Sequence, residues 1–383
     1  VIWGYIVLAY LSLFALGISD NIRGPLFPEI LKAFEVSDTA GAVYYAISSF
    51  CGFLSSLMVR TLLLRWSRVR SLQFSLVLMT IGLIGMGAVK DFAWLLFSAA
   101  IFGASLGIMG VMQNVMVSLG SLPHRRQKML AGLHSNYGLA SVLAPLTVAF
   151  FSEVLGSWRY VFYVVSLAPF SVFVGSFFWR EKPVSTDTGS VSKVIPPTPQ
   201  SRKDHFGQMF VAGILAFYVL AEIMVSSRLS LFARRELGLD LQQSSYYLMG
   251  FFVFLLAGRL LFTFVDFKWP LRGMLGFSLL SSMLLCAVGL QGYPILLSLS
   301  GFFMAPFYPL AIMYVASHYE KNMDSAMSYT VAIQSVFTVC MHGLVGYLTD
   351  RLGISSALWV GPMALGLSFI MLMVFERVFR RTA

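Results

Sequence analysis

Apolar residues run along this chain in long stretches that charge, Gly and Pro interrupt. Twelve of the stretches are long enough for a helix that crosses a bilayer, which takes about 20 residues. They cover residues 2–33, 39–64, 71–89, 92–120, 129–154, 158–179, 206–233, 241–265, 270–290, 293–316, 325–349 and 355–376. Spans 7 and 8 are the most interrupted, by Arg228 and Arg259. Between spans 6 and 7 lies the only long polar stretch, Glu181 to His205, with PVSTDTGSVSKVIPPTPQSRKD inside it. Ser, Thr and Pro at that density cannot bury a core and read as a flexible linker. The pattern predicts an all-α polytopic membrane protein with a six-helix bundle over 1–180, a linker over 181–205 and a second six-helix bundle over 206–383.

Composition removes the soluble alternatives. Of the 383 residues, 58% are hydrophobic and 11% charged, against about 25% charged in an average globular protein. The 34 Phe, 20 Met and 32 Gly suit helices that face lipid and pack closely together. Cys51, Cys286 and Cys340 all lie in apolar runs, so neither a disulfide scaffold nor a zinc site is expected. The first residue is Val1, not Met, so a short preceding piece is expected. The first apolar run is too long for a cleavable signal.

Basic residues set the orientation. Eighteen of the 27 Lys and Arg fall in the 2–3, 4–5, 6–7, 8–9 and 10–11 connections and the C-terminal segment; six fall on the opposite side. Positive charge stays inside, so both termini and the linker are expected in the cytoplasm, with a bacterial inner membrane as the setting. The net charge of +10 then reflects topology and anionic lipid. Basic residues scattered over short loops do not suit nucleic acid. The remaining three, Arg23, Arg228 and Arg259, lie within spans.

The two halves repeat. A shift of 202 lays Asp20 on Glu222, Asp38 on Asp240 and Tyr44-Tyr45 on Tyr246-Tyr247. Late in each half the shift is 197, laying Glu153 on Asp350 and Gly156 on Gly353. Parallel six-span repeats describe one large class of transporters. Together with GSWRYVFYV (156–164) and GYLTDRLG (346–353), they make the chain resemble the major facilitator superfamily over essentially its whole length. LGIMGVMQNVMVSL (106–119), GLHSNYGLASVLAP (132–145) and GFFMAPFYPL (301–310) are similar to its fucose-permease-like sugar/proton symporter branch. The resemblance implies alternating access, a small polar solute such as a sugar, proton coupling and function as a monomer. One signature departs from the family. The connection after span 2 reads SLMVRTLLLRWSRVR (56–70), with no acidic residue between Asp38 and Asp91. The second-half counterpart, GRLLFTFVD (258–266), keeps the Gly but is also irregular. In the family this loop helps latch the outward-open state.

Ionisable groups in hydrocarbon are costly and point to function. Asp20 and Arg23 are three apart in span 1, share a helix face and can pair. Pro25 and Pro28 next to them free carbonyls that a cavity could use. A carboxyl moved into low dielectric holds its proton, and a neighbouring guanidinium releases it. Asp20, with its repeat mate Glu222, is therefore the proton-coupling candidate; the alternative is a static Asp20–Arg23 bridge. Arg228 either faces the site or snorkels outward. Arg23 and Arg228 together also suit bidentate anion binding, as in the phosphate-ester antiporters of the same superfamily. Unpaired arginines would mean an anionic solute; arginines each neutralised by a carboxylate would mean a neutral or zwitterionic one, and Glu222 is the acidic candidate for Arg228.

Asn21, Gln113, Asn114, Asn136, Tyr137, Tyr308 and Gln334 complete the substrate-binding candidates, since amides and phenols suit sugar hydroxyls. Interhelical hydrogen bonding is the alternative for each. His134 is a possible proton relay. His342 receives no role, and Arg259 is expected to be a structural charge facing a loop. No nucleotide loop, catalytic triad or metal-ligand cluster stands out, so neither an enzyme nor a cofactor or metal is expected. The competing class is a membrane receptor that transports nothing, or a lipid scramblase.

Overall fold

The computed structural model describes residues 1–179, 202–265, 268–319 and 322–378. The described residues hold twelve helical spans long and apolar enough to cross a membrane. These are span 1 (Trp3–Phe34), span 2 (Asp38–Val59), span 3 (Arg68–Ala88), span 4 (Phe92–Gly120), span 5 (Lys128–Val154) and span 6 (Trp158–Ser176). After them come span 7 (Asp204–Leu237), span 8 (Leu241–Phe262), span 9 (Leu271–Gly289), span 10 (Pro294–His318), span 11 (Tyr329–Leu352) and span 12 (Ile354–Val378). Each coincides with an expected stretch to within several residues. Residues 181–201 of the expected linker lie outside the described residues, and its last four already belong to the helix Arg202–Leu237.

Polar residues start and stop the helices. The side chains of Ser37, Ser67, Asp91 and Ser157 accept from first-turn amides of spans 2, 3, 4 and 6. Asp240 and Gln243 close a reciprocal capping box at span 8. Span 1 is interrupted at Ile22, between Trp3–Asn21 and Arg23–Phe34. Pro25 and Pro28 lack the amides that would bond the carbonyls of Asn21 and Gly24. Span 10 is likewise divided at Ala305 and Pro306.

The same neighbours recur in both halves. Span 1 packs on spans 5 and 6, span 2 on span 4, and span 3 on spans 4 and 6. In turn span 7 packs on spans 11 and 12, span 8 on span 10, and span 9 on spans 10 and 12. Glycine makes the span 2–4 and span 8–10 crossings close. A Cβ on Gly103 or Gly107 would run into the backbone carbonyls of Ser48 or Gly52. On Gly258 or Gly301 it would meet the carbonyls of Phe302 or Phe251 at 2.5 Å. Outward faces carry Phe97, Leu284 and Ile370, each more than half exposed, as a lipid-facing surface requires.

The halves meet through span 1 on 7, span 2 on 11 and span 5 on 8. Polar contacts tie this seam at the end of the bundle away from the termini, the far end. Arg234 of span 7 pairs with Glu29 of span 1, and Arg235 with Asp38 of span 2 at 2.7 Å. The Asp350 carboxylate, at the end of span 11, accepts from the amides of Asp38 and Thr39 at 2.8 Å each and from Thr39 Oγ1 at 2.5 Å. It thereby serves the first turn of a helix in the other half. Gln242 Nε2, at the start of span 8, donates to Glu153 at the end of span 5 over 3.1 Å.

Candidate functional site

Below this seam a cavity of about 270 Å³ opens between the halves. Spans 1, 2, 4 and 5 line one side of it, and spans 7, 8 and 11 the other. Asp20, Asn21, Arg23 and Gly24, on either side of the interruption at Ile22, line it from span 1. Gly24 permits a close approach of the halves, since a Cβ there would lie 2.7 Å from the Ser226 carbonyl of span 7.

Asp20 and Arg23 form a salt bridge, as their spacing predicts. Tyr137 of span 5 donates to the same carboxylate at 3.3 Å. Asn21 Nδ2 donates to the Gly17 carbonyl at 2.8 Å, the Tyr137 hydroxyl at 3.2 Å and Ser141 Oγ at 3.1 Å. One network thus joins spans 1 and 5. Arg23 is 7% exposed, and its guanidinium also lies over the rings of Tyr44, Tyr45 and Phe102 at 5.0–5.8 Å.

Glu222 lines the opposite wall, and its partner corrects the expectation. Arg259 of span 8, expected to be a structural charge facing a loop, lines the cavity and lies 3.7 Å from Glu222. The two groups sit on neighbouring helices, a relation that spacing along one helix does not reveal. Arg228 is not the partner of Glu222 and does not snorkel. It is 1% exposed, with its guanidinium 4.1 Å from the Phe27 ring and 4.9 Å from the Tyr45 ring. Six residues beyond Glu222, it points across the seam into the first half, just behind the cavity wall.

The other expected site residues divide. Tyr137 and Asn21 line the cavity; Tyr308 lies beside Gln334 and Glu222 near the wall. Gln113, Asn114 and Asn136 serve helix packing. Gln113 Nε2 donates to Ser12 Oγ at 3.2 Å, Asn114 Nδ2 to the Gly110 carbonyl at 2.8 Å, and Asn136 Nδ2 to the Tyr10 carbonyl at 2.7 Å. His134 is exposed and does not line the cavity.

Sequence reasoning missed His342, Tyr45, Ser49 and Thr338, all of which line the cavity. His342 of span 11 stacks on Tyr45 of span 2 at 4.8 Å and 15°, across the seam. The Tyr44-Tyr45 match between the repeats was the one available signal for Tyr45. Nothing in the pattern marked His342. Among the described residues no group of three or more His, Cys, Asp or Glu is placed to hold a metal.

Comparison with known proteins agrees with this architecture. The family model described as Major Facilitator Superfamily matches residues 9–298. The glucose/mannose transporter GlcP of Bacillus subtilis is 24% identical over 361 residues, covering 91% of this chain and 88% of its own. A D-xylose-proton symporter structure superposes with a TM-score of 0.78 at 14% identity, over 98% of both chains. The fucose:proton symporter FucP of Escherichia coli gives a TM-score of 0.62 at 16% identity, over 97% of this chain and 98% of that one.

Proposed function

Since the chain belongs to the Major Facilitator Superfamily, we propose that it is a secondary active transporter that moves a sugar or sugar-like polar solute by alternating access, coupled to protons. The observation that carries this reading is the cavity between the halves, with an arginine–carboxylate pair on each wall: Asp20 with Arg23, and Glu222 with Arg259. Its volume falls near the lower end of the range for small-molecule sites, about 300–1,000 Å³. The similarity to a glucose/mannose transporter and to xylose and fucose proton symporters supports a solute of that size.

The pairs suggest how protons couple. Protonating Asp20 removes the charge that holds one end of the Arg23 guanidinium. The guanidinium and the Tyr137 hydroxyl then become available to solute oxygens. Glu222 and Arg259 offer the same exchange from the second half. The far-end seam separates as the near end closes, and the solute is released on the other side. The excess of basic residues in the connections on the side of the termini orients that side to the cytoplasm of a bacterial inner membrane. The cavity is then closed toward the outside. The two bundles, 1–180 and 206–383, act as the rocking bodies, and one chain suffices.

Neither competing class fits the cavity as well. A scramblase needs a lipid-sized apolar path, whereas two arginine–carboxylate pairs line this one. A receptor binds but does not exchange. Counterflow separates these readings. Proteoliposomes preloaded with unlabelled sugars should take up trace labelled sugar faster than empty ones. Binding without counterflow would identify a receptor, and lipid exchange without sugar counterflow a scramblase.

A further inference from the structure

The closed end of the cavity holds a cluster of buried polar atoms that nothing among the described residues satisfies. Arg228 Nη1 and Nη2, Arg23 Nη1, the Tyr45 hydroxyl and His342 Nδ1 are all buried without a hydrogen-bond partner. Their residues are 1%, 7%, 5% and 2% exposed, in the order Arg228, Arg23, Tyr45, His342. They come from spans 7, 1, 2 and 11, so both halves contribute. Orphaned polar atoms are rare in native interiors, because each forfeits the water it left. Three of the four residues form the cavity wall itself. Arg228 lies directly behind Tyr45, its guanidinium 4.9 Å from that ring.

Charge sharpens the reading. Among the described residues, Arg23, Arg234, Arg235 and Arg259 each sit against a carboxylate, and Arg228 does not. Asp38 is the acid that faces it, and Asp38 is engaged by Arg235. The charged side chains lining the cavity form two pairs, and Arg228, which has aromatic rings and no carboxylate in contact, adds a positive charge behind its closed end. An ion buried without a counter-ion costs several kcal/mol. The Phe27 and Tyr45 rings offset part of that cost. A dianionic phosphate ester would overfill a single positive charge, and a neutral hydroxyl would leave it standing.

We propose that this recess, formed by Arg228, Arg23, Tyr45 and His342, is the subsite for a single carboxylate on the solute, so that the solute is a sugar acid. The assignment rests on the transporter reading and names its substrate class. The carboxylate accepts from Arg23 Nη1 and the Tyr45 hydroxyl, which turn to it from their buried positions, with His342 beside it, and Arg228 balances its charge from behind. The polyol remainder lies toward Asn21, Tyr137 and Glu222. A ligand so placed bridges both halves at the seam, where occupancy bears directly on their rocking.

The test is binding by calorimetry and thermal shift on the full chain in detergent. The ligands share one ring: D-glucuronate, its neutral amide D-glucuronamide, and D-glucose. Glucuronate should bind about tenfold or more tightly than either neutral ligand, the ratio expected for a hydrogen bond to a charged group. Arg228→Gln should erase that preference, and Arg228→Lys should keep part of it. Equal binding of the three ligands by the unaltered chain overturns the proposal, and needs no variant to fold. So does an Arg228→Gln protein that still prefers glucuronate. Sodium chloride at matched ionic strength is the remaining arm. Stabilisation by chloride equal to that by glucuronate, and lost in Arg228→Gln, would make the recess an inorganic-anion site and reject the sugar acid. Glucose counterflow without carboxylate preference would sink this assignment and leave the transporter reading standing. Glucuronate binding without counterflow would do the reverse.

Discussion

Removing the Asp350 carboxylate should open the far end. Asp350 stands at the end of span 11 and reaches across the seam to the first turn of span 2. It accepts from the amides of Asp38 and Thr39 at 2.8 Å each and from Thr39 Oγ1 at 2.5 Å. Hydrogen bonds to a charged group are worth about 1.5–3 kcal/mol when well shielded, and neutral ones about 0.5–1.5. Asp350 is exposed, so water competes and a figure of about 0.5–1 kcal/mol per bond is appropriate. Three bonds then give about 2 kcal/mol, and a negative charge at a helix N-terminus adds about 0.5. All of this exists only while the halves are closed at this end. Asp350→Ala should therefore shift the equilibrium toward the far-open state by about thirtyfold or more, at 1.4 kcal/mol per tenfold. Glu35 and Glu236 are exposed at the far ends of spans 1 and 7, one in each half, and make suitable label positions. With Cys51, Cys286 and Cys340 replaced, spin labels there report the gap by double electron–electron resonance. The variant should move the distance distribution to longer values. A distribution that does not move would refute the reasoning.

Asp20→Asn should abolish solute accumulation driven by a pH gradient while retaining exchange, and Glu222→Gln should show which half carries the proton; accumulation left intact in both would remove protons from these groups. Arg259→Gln should impair transport more than Arg259→Gln combined with Glu222→Gln, because the single change strands a carboxylate; transport assays of the three variants would show additive losses if the 3.7 Å pair carried no coupling. Gly107→Ala should lower the melting temperature by several degrees, since its Cβ would meet the Gly52 carbonyl of the adjoining helix; an unchanged melting temperature would show that spans 2 and 4 can separate freely.

The spans were legible because each carries its own signal: about 20 apolar residues bounded by charge, Gly or Pro. Asp20–Arg23 was legible because three residues of helix fix their relation. The Glu153–Asp350 repeat match has a structural basis. Each acid ends a helix and meets the start of a helix in the other half, Glu153 at Gln242 and Asp350 at Thr39. The site was less legible because its partners lie on different helices. Glu222 meets Arg259 from the next span, and Tyr45 meets His342 across nearly the whole chain. Helical period says which face a side chain takes but not which neighbour it faces. Arg228 was left between two positions for that reason: near the end of an apolar run snorkelling is the cheap solution, and only packing against Phe27 and Tyr45 shows that it turns inward. The amides of Gln113, Asn114 and Asn136 resemble ligand-binding groups in sequence, yet they find carbonyl or hydroxyl partners within the helix bundle.

The central claim is gradient-driven transport, and uptake into proteoliposomes under an imposed pH gradient tests it most directly. The purified chain, without ATP, should concentrate a labelled sugar or sugar acid above the outside level when the outside is acidic, and a protonophore should collapse that excess. Uptake that is indifferent to the gradient and the protonophore, or that appears only when ATP is supplied, would contradict the account.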